Sequence, residues 1–267
     1  MKKLLLFLAI ALPASILFGQ PLKKVIYKSQ VVEKNGLVIT IENAVSTDHT
    51  IKFKLVIKNN TSDYVVFKPN ESVLTISGKD HNPSEKWLAI RPNDKETVII
   101  NLDGAGYMVT ENFDYLLDGL YSVSSSTQAN VCPNTLVSPS ATMASGGFTC
   151  SADKFYKKAT ARTDIKFNCS YNGSKVGIYE PNRVMMKMKD KTEHKNYHSD
   201  FSPLVFAKGD TKGFMCTWKD ILTSSGDMKT DDMTIIWHDA FIEADLKKIP
   251  AQKYTILYDE DATKAKK

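Results

Sequence analysis

Ile51-Lys52-Phe53-Lys54-Leu55-Val56-Ile57-Lys58 sets apolar against basic side chains in turn, with Val56 the one exception. Successive side chains leave a strand on opposite sides, so a period of two marks a strand with one face buried and one wet. Val98, Ile100 and Leu102 repeat the pattern after the turn sequence Arg91-Pro92-Asn93-Asp94. Between these stretches lie the apolar runs 64–67 and 73–76, separated by Pro69-Asn70. The stretch reads as short strands joined by turn chemistry, and the expected fold class is all-β.

The same order returns downstream. Ile165, Phe167, Cys169 and Tyr171 follow Ile51, Phe53, Leu55 and Ile57, and Pro181-Asn182 follows Pro69-Asn70. Lys208-Gly209-Asp210 before Phe214, Cys216 and Trp218 follows Pro92-Asn93-Asp94 before Val98, Ile100 and Leu102. Drifting offsets between equivalent strands fit loop insertions in a duplicated unit. A sheet that buries one face needs a second sheet over it, which predicts two β-sandwiches in tandem.

The unit has early N-N-T or N-G-S turns, then a Pro- or Gly-Asp turn before a late alternating strand. It resembles the immunoglobulin-like sandwiches of bacterial exported proteins, over approximately residues 31–103 and 160–258. That resemblance implies a fold and almost nothing of an activity. The expected organisation is a leader at 1–19, a first sandwich at 20–120, a Ser/Gly/Pro-rich connecting segment at 121–159, a second sandwich at 160–258 and a polar, mobile tail at 259–267.

The leader reads MKKLLLFLAIALPASILFG: two lysines, a short apolar run and a small residue at its end. These are the parts of a cleaved secretory signal peptide, too short in its apolar run to span a bilayer. The expected location is periplasmic or secreted, with no transmembrane segment in the mature chain. Of 267 residues, 42% are apolar and 24% charged, which places the chain among ordinary globular proteins. The formal charge of +5 includes Lys2 and Lys3 of the leader. So small an excess is no nucleic-acid footprint, and the expected partner is an unknown protein or glycan at the cell envelope.

Export makes disulfides the expected state of Cys132, Cys150, Cys169 and Cys216, for which three pairings exist. In the repeat, Cys169 and Cys216 stand where the first copy has Leu55 and Ile100, on strands expected to face each other. The immunoglobulin resemblance then implies an inter-sheet Cys169–Cys216 bridge beside Trp218, with buried free thiols as the alternative. Cys132 and Cys150 are left to close the connecting segment as the expected recognition loop.

Catalytic constellations are not read: there is no papain-like or CxxC cysteine spacing, no nucleophile elbow and no phosphate-cradling glycine loop. No cofactor is expected. His194, His198 and Asp200 form the best metal-like cluster, the basis of a competing reading as a metal-dependent hydrolase or metal carrier. The His-x-x-x-His spacing aligns both rings only on a helix, however, and this segment reads as a loop. Arg183, Lys187 and Lys189 lie on a basic stripe suited to an anionic glycan or to a solvated sheet face. Trp237 and Phe241 are candidates for an aromatic ligand platform, or for core.

Overall fold

The computed structural model describes residues 24–221 and 223–265, so the leader lies outside the described residues. The chain is all-β, built of antiparallel sheets. Its N-terminal half contains β1 (Val25–Ile26), β2 (Gln30–Lys34), β3 (Leu37–Ser46), β4 (Thr50–Asn59), β5 (Tyr64–Phe67), β6 (Val73–Ile76), β7 (Lys79–His81), β8 (Leu88–Ile90), β9 (Lys95–Asp103), β10 (Phe113–Leu117) and β11 (Leu120–Val123). The C-terminal half contains β12 (Thr135–Leu136), β13 (Thr142–Ser145), β14 (Phe148–Ala159), β15 (Arg162–Tyr171), β16 (Val176–Tyr179), β17 (Met185–Lys187), β18 (Glu193–Lys195), β19 (Leu204–Phe206), β20 (Thr211–Lys219), β21 (Thr234–Ile236), β22 (Phe241–Ala244), β23 (Lys247–Lys248) and β24 (Gln252–Ile256), followed by the helix α1 (Glu260–Lys264).

The alternation in 51–58 does what it announces. Ile51, Phe53, Leu55 and Ile57 are buried on β4, while Lys52 and Lys58 are exposed. These side chains meet Leu74, Ile76, Phe113, Tyr115 and Leu117 from β6 and β10, so a sheet of β1, β3, β4 and β9 closes against a second layer. A second core does the same with Ile165, Phe167 and Trp218 against Met186, Ile235 and Trp237.

The two halves share their pairings. β2·β3·β4·β9 corresponds to β13·β14·β15·β20. β8·β5·β11 corresponds to β19·β16·β22, and β7·β6·β10 to β18·β17·β21. Even the one-turn 3-10 segments Pro69–Glu71 and Pro181–Arg183 occupy the same place. The alignment read from sequence is two residues out of register on one strand. Ile57 pairs with Ile39 in the first half where Cys169 pairs with Cys150 in the second, so Cys169 stands in place of Ile57 and not Leu55.

Each half is completed by chain that follows the other. After β11 the backbone crosses: Ala129 bridges to Ile242, the Asn130 N–H donates to the Phe241 carbonyl at 2.8 Å, and β12 pairs with β21. After β22 it crosses back in the same manner. β23 pairs with β11, the Ile249 N–H donates to the Leu120 carbonyl at 2.8 Å, and β24 adds to β10 with Tyr254 opposite Tyr115. Residues 121–159, expected as a connector, therefore carry strands belonging to the second core. The alternating strand Tyr254-Ile256, expected in the second sandwich, lies in the first. Periodicity states that a strand exists but carries no address for its partner.

Between the halves, the sheets β5·β8·β11 and β16·β19·β22 pack face to face. Val66, Ala89 and Val123 meet Ile178, Val205 and Ala244, all buried. Residues 259–265 of the polar tail form a capped helical turn: Asp259 caps α1 by accepting from the Ala262 N–H, and the buried Thr263 hydroxyl accepts the Ile26 N–H at 2.9 Å. The mobility expected of 259–267 fails for this part because a capped turn docks on β1. No described helix is long and apolar enough to cross a membrane.

Candidate functional site

The disulfide is Cys150–Cys169, and Cys132 and Cys216 are free. The expected pairing fails on register. Cys169 and Cys216 lie in one sheet, where Cys216 is opposite Ile165 and Cys169 is opposite Lys212. Four residues of strand separate them, about 13 Å at the rise of a strand, beyond the reach of a bridge. Cys150, by contrast, stands directly across from Cys169, with Cα atoms 4.0 Å apart. The proposed recognition loop 132–150 is accordingly unclosed and forms β12, β13 and the start of β14. Burial pushes the Cys216 thiol up to about 12, where it also faces the Tyr179 hydroxyl.

Trp237 and Phe241 are core residues. Both are at most 1% exposed, and the indole N–H donates to the Thr135 hydroxyl at 2.9 Å, so no ring face remains for a ligand. Lys187 and Lys189 do point outward beside the buried Met186 and Met188, and Lys189 pairs with Asp231 at 3.6 Å. Arg183 donates to the Asp239 carbonyl. The proposed metal ligands are not brought together. The His194 ring bonds the Thr192 hydroxyl, the His198 ring bonds Thr217, and Asp200 is exposed. No group of three His, Cys, Asp or Glu side chains among the described residues is placed to hold a metal.

What the structure assembles instead is a cleft along β20, the edge strand of its sheet. Three cavities follow that strand. A groove of about 860 Å³ runs past Thr211, Lys212 and Gly213 and is walled by Lys86, Trp87 and Ser202. An apolar pocket of about 220 Å³ shares Gly213 with it and continues over Phe214 and Met215, beneath Phe201 and Leu204. A polar hollow of about 280 Å³ shares Met215 and His198 and ends at Thr217, Asp164 and Tyr156. The outer wall is the loop between β18 and β19, which contributes His198, Phe201 and Ser202.

Two anchors hold that loop. At one, Arg91 reaches across the interface between the halves, grips Glu180 with Nε and Nη2 at 2.6–3.0 Å, and donates to the Phe201 carbonyl at 2.6 Å. The Glu180 side chain is 0% exposed and that of Arg91 14%. Tyr64 completes the carboxylate with a hydrogen bond at 3.1 Å; burial first, then that negative charge, pushes its hydroxyl up to about 12.

At the other anchor, Asn196 accepts the Thr217 N–H and Tyr197 donates to the Thr217 carbonyl, closing the edge of β20 at that residue. The Thr217 hydroxyl donates to Asp164 at 2.7 Å, and Arg162 grips the same carboxylate. Burial opposes the Asp164 charge, but these hydrogen bonds outweigh it and hold the carboxyl below its usual range. Since the only Thr217 hydroxyl proton is committed to Asp164, the contact from His198 Nε2 at 3.2 Å assigns the proton to that nitrogen. The buried Nδ1 is left as an acceptor with no partner among the described residues. This is no nucleophile triad, because the carboxylate engages the hydroxyl and not the imidazole.

Burial, reinforced by Arg162 and Lys219 and opposed by Asp164, lowers the His198 pKa. The unfolded chain binds a proton near pH 6.5 that the folded chain resists, so stability falls as pH drops through that region toward the folded value. His198→Gln is expected to flatten this decline. Urea midpoints at pH 7.5 and 5.5 test it, and equal declines in both proteins count against the assignment.

Sequence reasoning found His198 for another role and missed the cleft. One signal was available: Gly213 stands inside the strand reading 211–219, on the face opposite Phe214, Cys216 and Trp218, and a glycine inside a strand can mark the close approach of another backbone. The chain matches no protein-family model and no curated protein.

Proposed function

We propose that this chain is an exported, non-enzymatic binding or structural module of the cell envelope. In this reading it consists of two immunoglobulin-like β-sandwiches in tandem, and the cleft along β20 takes the ligand. The cleft carries the reading. Three contiguous cavities beside an edge strand, walled by a loop anchored at both ends, give a preformed concave surface of the kind that ligands occupy. Periplasmic or secreted location rests on the leader at 1–19 and agrees with the Cys150–Cys169 disulfide, since such bonds persist in oxidising compartments. The sandwich assignment is supported by two cores that each lie between antiparallel layers with the same pairing order.

The test expresses the full chain in a Gram-negative host and sequences the N-terminus of the exported protein, expected to begin at Gln20. The purified mature protein is then screened on oligosaccharide and peptide arrays beside Ser202→Trp, which fills the cleft from an exposed position. Ligands held by the natural chain, lost in the variant and recovered chemically unchanged support the proposal. Retention in the cytosol with the leader intact, turnover of the ligand, or binding indifferent to Ser202→Trp overturns it.

A further inference from the structure

We infer that the ligand of this cleft is an extended polypeptide segment that adds to β20 as a further strand and carries an acidic side chain facing Lys86. The inference rests on the binding reading above and names its partner class. Both the N–H and the C=O of Thr217 point away from β15, as their bonds to Asn196 and Tyr197 establish. The β15·β20 ladder runs without a register shift, so the alternation of an antiparallel pair turns the same groups of Met215 and Gly213 the same way. None of these four groups has a hydrogen-bond partner among the described residues. They are repeated two residues apart, about 6.8 Å, which is the repeat of a strand. An edge of this kind beside a groove is the setting of strand addition: main-chain bonds hold the guest, and pockets read its alternate side chains.

The side chains around the edge agree. The apolar pocket beneath Phe201 receives one inward side chain of such a segment. Tyr156 and Phe201, which line the cleft, are 54% and 62% exposed, and exposed aromatics are the enriched residues of protein interfaces. Lys86, exposed on the groove wall, has no carboxylate partner among the described residues, whereas Lys212 already holds Asp210. That unmatched positive charge assigns the guest its acidic residue. A sugar platform is less well served: Lys68 covers one face of Trp87 at 4.2 Å from its ring centre.

A random peptide library displayed on phage is panned on the full mature chain after depletion on Gly213→Pro. Proline is tolerated on an edge strand when the lost N–H faces outward, so the variant removes one edge donor and spares the ladder to β15. Met215→Pro serves if Gly213→Pro does not fold. Enriched peptides are expected to lose about tenfold or more in affinity on the proline variant. N-methylation of the peptide backbone at alternate positions, tested on the natural protein, should cost a similar factor, and methylation between them little. Amide exchange at Gly213 and Met215 should slow on binding. Failure of any peptide to enrich, equal binding to the proline variants, or peptides that leave those two amides unprotected overturns the inference. If chitohexaose or a heparin hexasaccharide fills the cleft and peptides do not, the binding module stands and the polypeptide partner falls. If neither class binds, both fall.

Discussion

Arg91→Ala is expected to destabilise the protein by about 3–5 kcal/mol, because it strands the Glu180 carboxylate in the interior with a tyrosine hydroxyl as its main remaining partner. The pair sits where the halves meet and also grips the cleft wall through the Ser199 and Phe201 carbonyls. The variant should therefore loosen the loop over β20 as well as lower the melting temperature. The size of the effect belongs to the unpaired charge and not to any intrinsic merit of an ion pair. Arg91→Met combined with Glu180→Leu should recover most of the loss, since apolar groups of similar volume often replace a buried pair at little cost. Chemical denaturation of the three proteins decides the matter. A loss below about 1 kcal/mol in Arg91→Ala is the behaviour of an exposed pair and contradicts the closed interface.

Removal of residues 246–267 should have the larger consequence. It strips β23, β24 and α1 from the N-terminal half, opening the edge of β10 and uncovering the core that Tyr254 and Ile256 seal at 5% and 0% exposure. Truncating one such side chain to alanine costs about 2–5 kcal/mol, and whole domains are stable by only about 5–15 kcal/mol. The N-terminal core should therefore unfold although all of its residues before 124 are intact. A synthetic peptide of residues 246–265 added to the truncated chain should restore its near-ultraviolet circular dichroism, because the missing piece joins by strand pairing. A truncated chain that keeps the melting profile of the full one would contradict the exchange.

The sequence was most informative where structure is local. Alternation of side chains at 51–57 and 165–171 is a property of single strands, and those strands formed with the expected faces inward. Pairing is another matter. The repeat of turns and alternations pointed to a duplicated unit, yet a shift of two residues preserves every inward face, and alternation does not say whether two strands share a sheet, so Cys169 was matched with Leu55 and paired with a cysteine of its own sheet. Trp237 and Phe241 carry no local mark that separates a core aromatic from an exposed one, and packing alone settled them. The cleft was least legible. Its walls come from 86–87, 197–204 and 211–217, and its anchor Arg91 works across the chain on Glu180, a partner 89 residues away. Gly213, and His198 read in another role, were its traces in the sequence.

The first and last described segments touch: Tyr27 bridges to Tyr258, and Ile26 shares its backbone polar groups with Thr263. A short linker from residue 265 to residue 24, with new ends opened in the exposed stretch 124–126, would reverse the order of the halves along the polymer and leave every strand its neighbour. Such a circular permutant would make what is now the return crossing the sole covalent bridge between the cores. The same strand pairings are thus compatible with either half standing first in the chain.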